Sequence, residues 1–431
     1  MSMIKVENLT FAYPSGYDNV FENVSFQIDT DWKLGFVGRN GRGKTTFLKL
    51  LMGKYPYLGR ITASTIFDYF PYKVSAETDI LWQPFDTLSK GQQTKAMLAA
   101  LFLNSGHFLL IDEPTNHLDM KGRQTVAAYL KKKKGFILVS HDRNFLDGCV
   151  DHILSINRAD IEVQSGNFSS WFENFQKNQT AEIAKNQRLQ KDMERLKKAA
   201  DRTDSWAGKV EASKYGNGPV DRGYIGHKSA KMMKRAKSIK SRQQKAAEEK
   251  STLLKNIEKT EVLKISPLKY KTDRLALDGK NGSGKSSILK LVAGRGDIPE
   301  YRGNISIGSN LAVSYVPQDA SFLKGSLSEF AEAQNIDERL FKTILRKMDF
   351  ERVQFEKNME DFSEGQKKKV LLAGSLCQRA HLYIWDEPLN FIDIYSRMQI
   401  QQLIEDFSPT MIFVEHDEAF RDAIATGVVR L

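Results

Sequence analysis

The chain has 431 residues, 41% of them hydrophobic, which allows two domains with substantial cores. Its longest apolar runs are strand-sized and exclude a spanning helix, while the N-terminus lacks the order of a secretory leader, so the cytoplasm is the default. Two distant cysteines, Cys149 and Cys377, argue against a disulfide framework, a zinc site or an iron–sulfur cluster; of the net charge of +11, residues 171–262 carry nearly all, with 22 Lys/Arg against 12 Asp/Glu.

Two strands are expected first, in MIKVENLTFAY and NVSFQID, followed by the buried strand KLGFVG. GRNGRGKTT (38–46) then matches G-x-x-x-x-G-K-[ST], a loop whose backbone N–H groups close on phosphate oxygens at a helix start. Gly38, Asn40, Gly41, Gly43, Lys44, Thr45 and Thr46 are its candidate phosphate-binding residues. Lys44 would reach the β/γ-phosphates, and the Thr45 hydroxyl suits Mg2+. TLSKGQQTK (87–95) comes next, then the strand-end pair in HFLLIDEPTNHLD (107–119). There Asp112 suits a metal and Glu113 a base that polarises water. LVSHDRNF (138–145) places His141 after another strand. A strand-end histidine packed into the core is the plainer alternative.

All four motifs recur in the same order after residue 279, which points to duplication. GKNGSGKSS (279–287) offers Gly279, Asn281, Gly282, Gly284, Lys285, Ser286 and Ser287. DFSEGQKKK, HLYIWDEPLNFID and FVEHDEAF supply Ser363, Gly365, Gln366, Asp386, Glu387 and His416. Gln318, in SYVPQDA, adds a metal and phosphate-site candidate; the matching DYFPYKV has Tyr72 there, so the two sites are not equivalent.

The copies are also unequal in length. Between Tyr72 and Ser89 there is too little chain for the helical subdomain that fits between Gln318 and Ser363, so the first copy is short near 75–80. Near 271–275 the second copy has KYKTDRLALDG where the first has two opening strands. The expected organisation is a first ATPase domain at 1–167, a linker at 168–262 and a second domain at 263–431.

The linker reads as a helical hairpin, with Leu189, Met193, Leu196 and Ala200 at helical spacing and a Gly/Pro-rich reversal at about 214–227. Residues 195–245 hold 15 Lys/Arg and 4 Asp/Glu, with Trp206, Tyr215 and Tyr224 near the reversal. Basic groups neutralise phosphates and aromatics stack on bases, so structured RNA is the favoured partner. A solvated interdomain coiled coil is the bland alternative, and a membrane surface the competing one. Candidate RNA contacts are Lys209, Lys214, Tyr215, Arg222, Tyr224, His227, Lys228, Lys231, Lys234, Arg235 and Lys237.

The order of P-loop, LSKGQ, IDEPTNHLD and SHD resembles the nucleotide-binding domains of the ABC ATPase superfamily. That resemblance implies an α/β fold, two tandem ABC-type P-loop ATPase domains, and ATP with Mg2+ hydrolysed to ADP and phosphate. It implies head-to-tail facing, so that Ser363, Gly365 and Gln366 close on the ATP held by Lys44, and Ser89, Gly91 and Gln92 on that held by Lys285. Tyr13 would stack on adenine, with a core role as its alternative, and His141 and His416 would meet γ-phosphate. Two such domains with a basic helical linker resemble the ABC-F family, and the linker resembles its antibiotic-resistance members of the Lsa, Sal and Vga type. These imply a ribosome-associated monomer without a membrane partner, inserting its linker into the tRNA exit site of the bacterial 70S ribosome against 23S rRNA and P-site tRNA. The implied role is protection from lincosamides, pleuromutilins and streptogramins A. Alternatives are a housekeeping ABC-F translation factor, the motor of a drug exporter, and a DNA-repair ATPase.

Overall fold

The computed structural model describes residues 2–14, 19–71, 85–103, 106–116, 118–156, 161–212, 227, 230–231, 233–234, 237–242, 244–245, 262–268, 270–294 and 302–431. It divides into one unit made of residues 1–156, 161–171 and 260–431, and a second made of residues 157–160 and 172–259.

The first unit contains both sequence repeats. In the first repeat β1 (Met3–Phe11), β2 (Phe21–Asp29) and β4 (Leu58–Thr62) form an antiparallel sheet in the order β2-β1-β4. Ile4, Val6, Leu9 and Phe11 face the core; a register shift between Val6 and Leu9 keeps the apolar side inward despite the odd spacing. Beside it β3 (Lys33–Gly38), β5 (Phe67–Phe70), β6 (Phe108–Asp112), β7 (Phe136–Val139), β8 (His152–Ile156) and β9 (Ile161–Ser165) build a second sheet, in the order β5-β6-β7-β3-β8-β9. All its pairs are parallel except β8–β9. FLLI and FILV are apolar without alternation because helices and strands cover both faces. Helices α1 (Lys44–Leu51), α2 (Lys90–Leu103), α3 (Met120–Leu130) and α4 (Arg143–Cys149) complete the repeat.

The second repeat has a parallel sheet ordered β11-β12-β13-β10-β14, from β10 (Arg274–Asp278), β11 (Val313–Val316), β12 (Leu382–Asp386), β13 (Met411–Val414) and β14 (Gly427–Arg430). Among the described residues it has no counterpart of the three-stranded antiparallel sheet, in keeping with the short segment before its P-loop. The corresponding short segment of the first repeat, near 75–80, lies outside the described residues, as does Tyr72.

Registers explain why the motifs converge. Asp112 pairs with Val139 and Phe36 with the same Val139; Asp386 pairs with Val414. The P-loop, the carboxylate pair and the histidine, His141 or His416, therefore leave the same carboxyl edge of each sheet, where open parallel sheets bind ligands.

The second repeat is anchored under this edge by Trp385, which is 1% exposed and donates through Nε1 to Ser375 Oγ at 3.0 Å. Ser375 in turn meets Ser314 Oγ at 2.7 Å, joining β12, β11 and the helix that carries Ser375. Trp385→Ala is expected to cost about 3–5 kcal/mol in urea unfolding through the cavity and the lost bond. A change below 1 kcal/mol would mean that this site collapses freely, against its dense packing.

The second unit is dominated by α5 (Phe168–Ala212), 45 residues and so about 67 Å long. Glu182, Asn186, Leu189, Met193 and Leu196 are half-buried while most of their neighbours are exposed, the alternating three-and-four spacing characteristic of a coiled-coil face. The described positions between 227 and 245 are helical. Lys209, His227, Lys231, Lys234 and Lys237 are exposed. Lys214, Tyr215, Arg222, Tyr224, Lys228 and Arg235 lie outside the described residues, as do most of the predicted reversal and the side chains of Ala200 and Trp206. Among the described residues no helix is long and apolar enough to cross a membrane.

Candidate active site

Each P-loop turns into its helix through a left-handed glycine, Gly43 at φ 88° before α1 and Gly284 at φ 91° before α6 (Lys285–Ala293). A side chain at Gly43 would also strike Val20, which ties the loop to the antiparallel sheet. Lys44 Nζ donates to the carbonyls of Gly38 and Arg39 at 2.7 and 3.0 Å, and Lys285 to those of Gly279 and Lys280 at 2.7 and 2.9 Å. Both ammonium groups are thus held inside the loop that a phosphate chain would fill.

Around Lys44, Thr45 donates to Asp112 Oδ2 at 2.6 Å and Tyr69 to the same oxygen at 3.2 Å. His141 Nε2 lies 3.1 Å from Asn40 Oδ1 and 3.3 Å from Glu113 Oε1. Burial and then the Asp112 charge push Glu113 up to about 8, and burial lowers Lys44 and, more strongly, His141. Tyr13 donates or accepts through its hydroxyl at Thr46 (2.8 Å) while packing edge-on against Phe11 and Tyr55, so it serves the core and the loop together.

Around Lys285 the carboxylates differ. Burial alone would raise Glu387, yet His416, Gln318 and Asn390 hydrogen-bond to it and bring it down to about 2. Asn390 Nδ2 donates to its Oε2 at 2.6 Å. Asp386 is fully buried and pushed up to about 6 by burial. By strict hydrogen-bond geometry neither of its oxygens has a partner among the described residues, although the Ser286 hydroxyl beside it favours the charged form. A buried carboxylate met by a neutral hydroxyl is costly unless a cation completes it, so this donor set fits a hard divalent ion such as Mg2+. Glu113 and Glu387 both sit at positive φ, 52° and 47°, a strained backbone shared by the two strand-end glutamates.

The repeats meet head to tail. Ser89 and Gly91 line one cleft with Asn281, Gly282, Gly284, Lys285, Ser286, Ser287, Gln318, Glu387 and His416. On the other side Asn40 Nδ2 donates to the Phe391 carbonyl at 2.7 Å, and a side chain on Gly365 would strike both groups. Ser363 caps α9 (Glu364–Cys377), numbered after α7 (Leu327–Ala333) and α8 (Glu338–Lys347). Gln366 Oε1 accepts from the Ser363 N–H at 2.8 Å, and Gln92 Oε1 from Ser89 N–H at 2.9 Å. Each signature serine and glutamine thus forms a reciprocal cap, and the glutamine side chain is turned to its own helix end.

Several participants occupy variable positions of the four motifs, which carry no chemical signal of their own. Arg39 and Arg42 approach Asp349 at 3.6 and 4.0 Å across the repeats. Lys368, buried and lowered by burial, donates to the Pro317 and Glu387 carbonyls at 3.0 and 3.2 Å, where the first repeat has Thr94. Glu415 accepts from Leu389 N–H at 3.1 Å and His416 N–H at 2.8 Å, where the first repeat uses Ser140. Comparing the repeats position by position would have exposed both exchanges.

Glu113 is expected to make stability pH-dependent when no nucleotide is bound. Its folded pKa, about 8, is above the ordinary carboxylate value, so the native state binds the extra proton and stability falls as pH rises through 4.5–8. Without nucleotide and with a chelator, wild type is expected to melt a few degrees lower at pH 8.5 than at pH 6. Glu113→Gln should reduce that difference; an unchanged difference in differential scanning fluorimetry would remove the assignment.

A model of the ABC transporter family matches residues 21–69 and 265–390. The chain is 28% identical over 466 positions to the ATP-binding protein Uup of Caulobacter vibrioides, covering 96% of this chain and 75% of that one. It is 26% identical to the ribosome protection protein VmlR of Bacillus subtilis, covering 95% and 83%. With the putative ATP-binding protein YdiF of Bacillus subtilis it is 25% identical, covering 100% and 80%, and that alignment needs 521 positions for these 431 residues. Among solved structures, that of the complex of archaeal ribosomal stalk protein aP1 and archaeal ribosome recycling factor aABCE1 superposes with a TM-score of 0.61 at 16% identity, covering 98% of this chain and 87% of that one. The structure titled RNase-L Inhibitor gives 0.58 at 17%, with the same coverage. These two likenesses establish the fold. The chain is an ATP hydrolase with the fold of two ABC ATPase domains in tandem, and the relatives it resembles along nearly its whole length are ATP-binding proteins of the ABC-F type.

Proposed function

We propose that this ATPase works on the bacterial ribosome and protects it from lincosamide, pleuromutilin and streptogramin A antibiotics. The observation that carries its enzymatic half is the cleft in which Ser89 and Gly91 of one repeat face Lys285, Ser286, Glu387 and His416 of the other. Two ATP molecules are held this way, each between one P-loop and the other repeat's signature segment. Lys44 and Lys285 bind β/γ-phosphate; Glu113 and Glu387 orient and deprotonate the attacking water; His141 and His416 hold γ-phosphate. Thr45 with Asp112, and Ser286 with Asp386 and Gln318, hold Mg2+, which neutralises charge on the phosphate oxygens when bound. Glu387 is ionised and fixed by three partners while burial favours the protonated form of Glu113, so the two sites do not turn over equally.

The ribosomal half rests on the relative named a ribosome protection protein and on exposed Lys209, Lys231, Lys234 and Lys237 in the basic helical unit. ATP binding closes the two repeats, the linker enters the tRNA exit site of a cytoplasmic 70S ribosome, and the 214–227 segment approaches the peptidyl-transferase centre against 23S rRNA and P-site tRNA. Hydrolysis reopens and releases a monomer. Similarity of the same order to Uup supports a second reading, a general translation factor of the ABC-F type. Expression in a sensitive host separates the two: raised inhibitory concentrations for at least one of the three drug classes are expected. Unchanged susceptibility to all three would defeat protection and leave the second reading.

A further inference from the structure

We infer that Arg123 is a positioning residue for the opposite repeat's site, tying the first repeat to the switch histidine of the second. The inference deepens the ATP-site reading above and rests on it. Arg123 lies on α3, four residues past Asp119, and is almost fully buried. Its guanidinium serves three acceptors. Nε donates to the Leu118 carbonyl at 3.1 Å, Nη1 to Asp142 Oδ2 at 2.7 Å, and Nη1 also to the His416 carbonyl at 3.2 Å.

The first two bonds join the loop after Glu113 to the residue that follows His141, within one repeat. The third crosses to the other repeat, 293 positions along the chain. There His416 Nε2 faces Glu387 Oε1 at 3.5 Å, in the cleft that Ser89 and Gly91 line. The repeat that lends its signature segment to this cleft therefore also holds the backbone of the cleft's histidine. Two weaker bonds run beside it, Arg143 to Gln401 at 3.3 Å and Asn144 to Glu418 at 3.4 Å. Arg397, at the equivalent place on α10 (Ile394–Phe407), donates to the Ile392 carbonyl at 2.9 Å and to Asp417 Oδ2 at 2.9 Å.

A rigid planar fork suits this task, since a buried guanidinium keeps its charge and donates in fixed directions. When α3 moves with its repeat, the His416 carbonyl moves with it, and the imidazole is placed or withdrawn from Glu387. Closure of one repeat thereby sets the catalytic geometry carried by the other.

The test reads the two sites separately in the full chain. Glu113→Gln leaves turnover to the Lys285 site, and Glu387→Gln leaves it to the Lys44 site. In the Glu113→Gln background, Arg123→Ala is expected to lower kcat about tenfold, the size of one charge-assisted hydrogen bond lost in the transition state, with KM changed less than about twofold. In the Glu387→Gln background the loss should be smaller. Arg123→Lys should recover part of the turnover, because charge returns but the fork does not. Arg123→Ala acting only on the Lys44 site, or on neither, would overturn the coupling, since a purely local role strikes its own repeat first. If Arg123→Ala no longer melts cooperatively, Arg123→Lys carries the test, and wild-type turnover at the Lys285 site would sink the idea. Undiminished turnover in the Glu113→Gln/Glu387→Gln protein itself would remove the site reading and the coupling with it.

Discussion

The Glu113→Gln/Glu387→Gln protein is expected to lose steady-state ATP turnover by about a thousandfold or more, the range of a positioned general base, while still binding ATP. Glutamine keeps the shape and the hydrogen-bonding reach of each side chain but cannot take a proton from water. The partners at the second site are suited to survive the exchange, because Asn390 Nδ2 at 2.6 Å can donate to an amide oxygen as to a carboxylate. At the first site the exchange removes a carboxyl that burial already disfavours as an anion. The two single variants should differ. The two glutamates sit in opposite environments, one ionised and braced by three partners and the other disfavoured as an anion by burial, so the two residual rates are not expected to be equal. Phosphate release together with equilibrium binding of a fluorescent ATP analogue reads both quantities. Full turnover in the double variant would mean that neither glutamate is the base, whatever their shared backbone strain.

Much of each site was legible because its chemistry is local in sequence. A P-loop needs its glycines and lysine within eight positions, and the strand-end pair needs only an apolar strand before it; the duplication then let each copy check the other. The signature segments also carry the Ser-x-x-Gln pattern of a reciprocal cap, which the structure shows beside the ATP role expected of Gln92 and Gln366. What escaped is what the fold brings together from afar. Asn40 and Phe391 are 351 positions apart, Arg123 and His416 293, and no periodicity or spacing relates them. Lys368 escaped for another reason: within DFSEGQKKK it looks like a solvated lysine, and only burial beneath the Pro317 and Glu387 carbonyls distinguishes it. Tyr13 stands between adenine and core in the sequence because a lone aromatic carries no direction; the packing seats its ring against Phe11 and Tyr55 and its hydroxyl on Thr46. The linker's helical character followed from its period of three and four, visible again in the half-buried line from Glu182 to Leu196.

Charge on the linker should dominate the second large effect, on ribosome affinity. Lys209, Lys231, Lys234 and Lys237 are exposed and occupy a segment in which positive charge is not offset by alternating acids. If each neutralises a phosphate, changing all four to glutamine removes about four released counterions, and the slope of log affinity against log salt should flatten by about three. Near physiological salt this is a loss of about ten- to a thousandfold, measured by co-sedimentation with bacterial ribosomes using the Glu113→Gln/Glu387→Gln protein and ATP. Changing four exposed lysines of the ATPase unit, Lys132, Lys134, Lys324 and Lys357, leaves the same net charge but should move the slope far less. Equal losses from the two sets would mean that general charge attracts the ribosome and that the linker has no privileged place on it. A loss confined to the linker set, with affinity rising less steeply than in wild type as salt is lowered, would put phosphate contacts on the helical unit. Loss of pelleting in both proteins without ATP, but only in the linker variant with ATP, would further tie those contacts to the closed state of the two repeats.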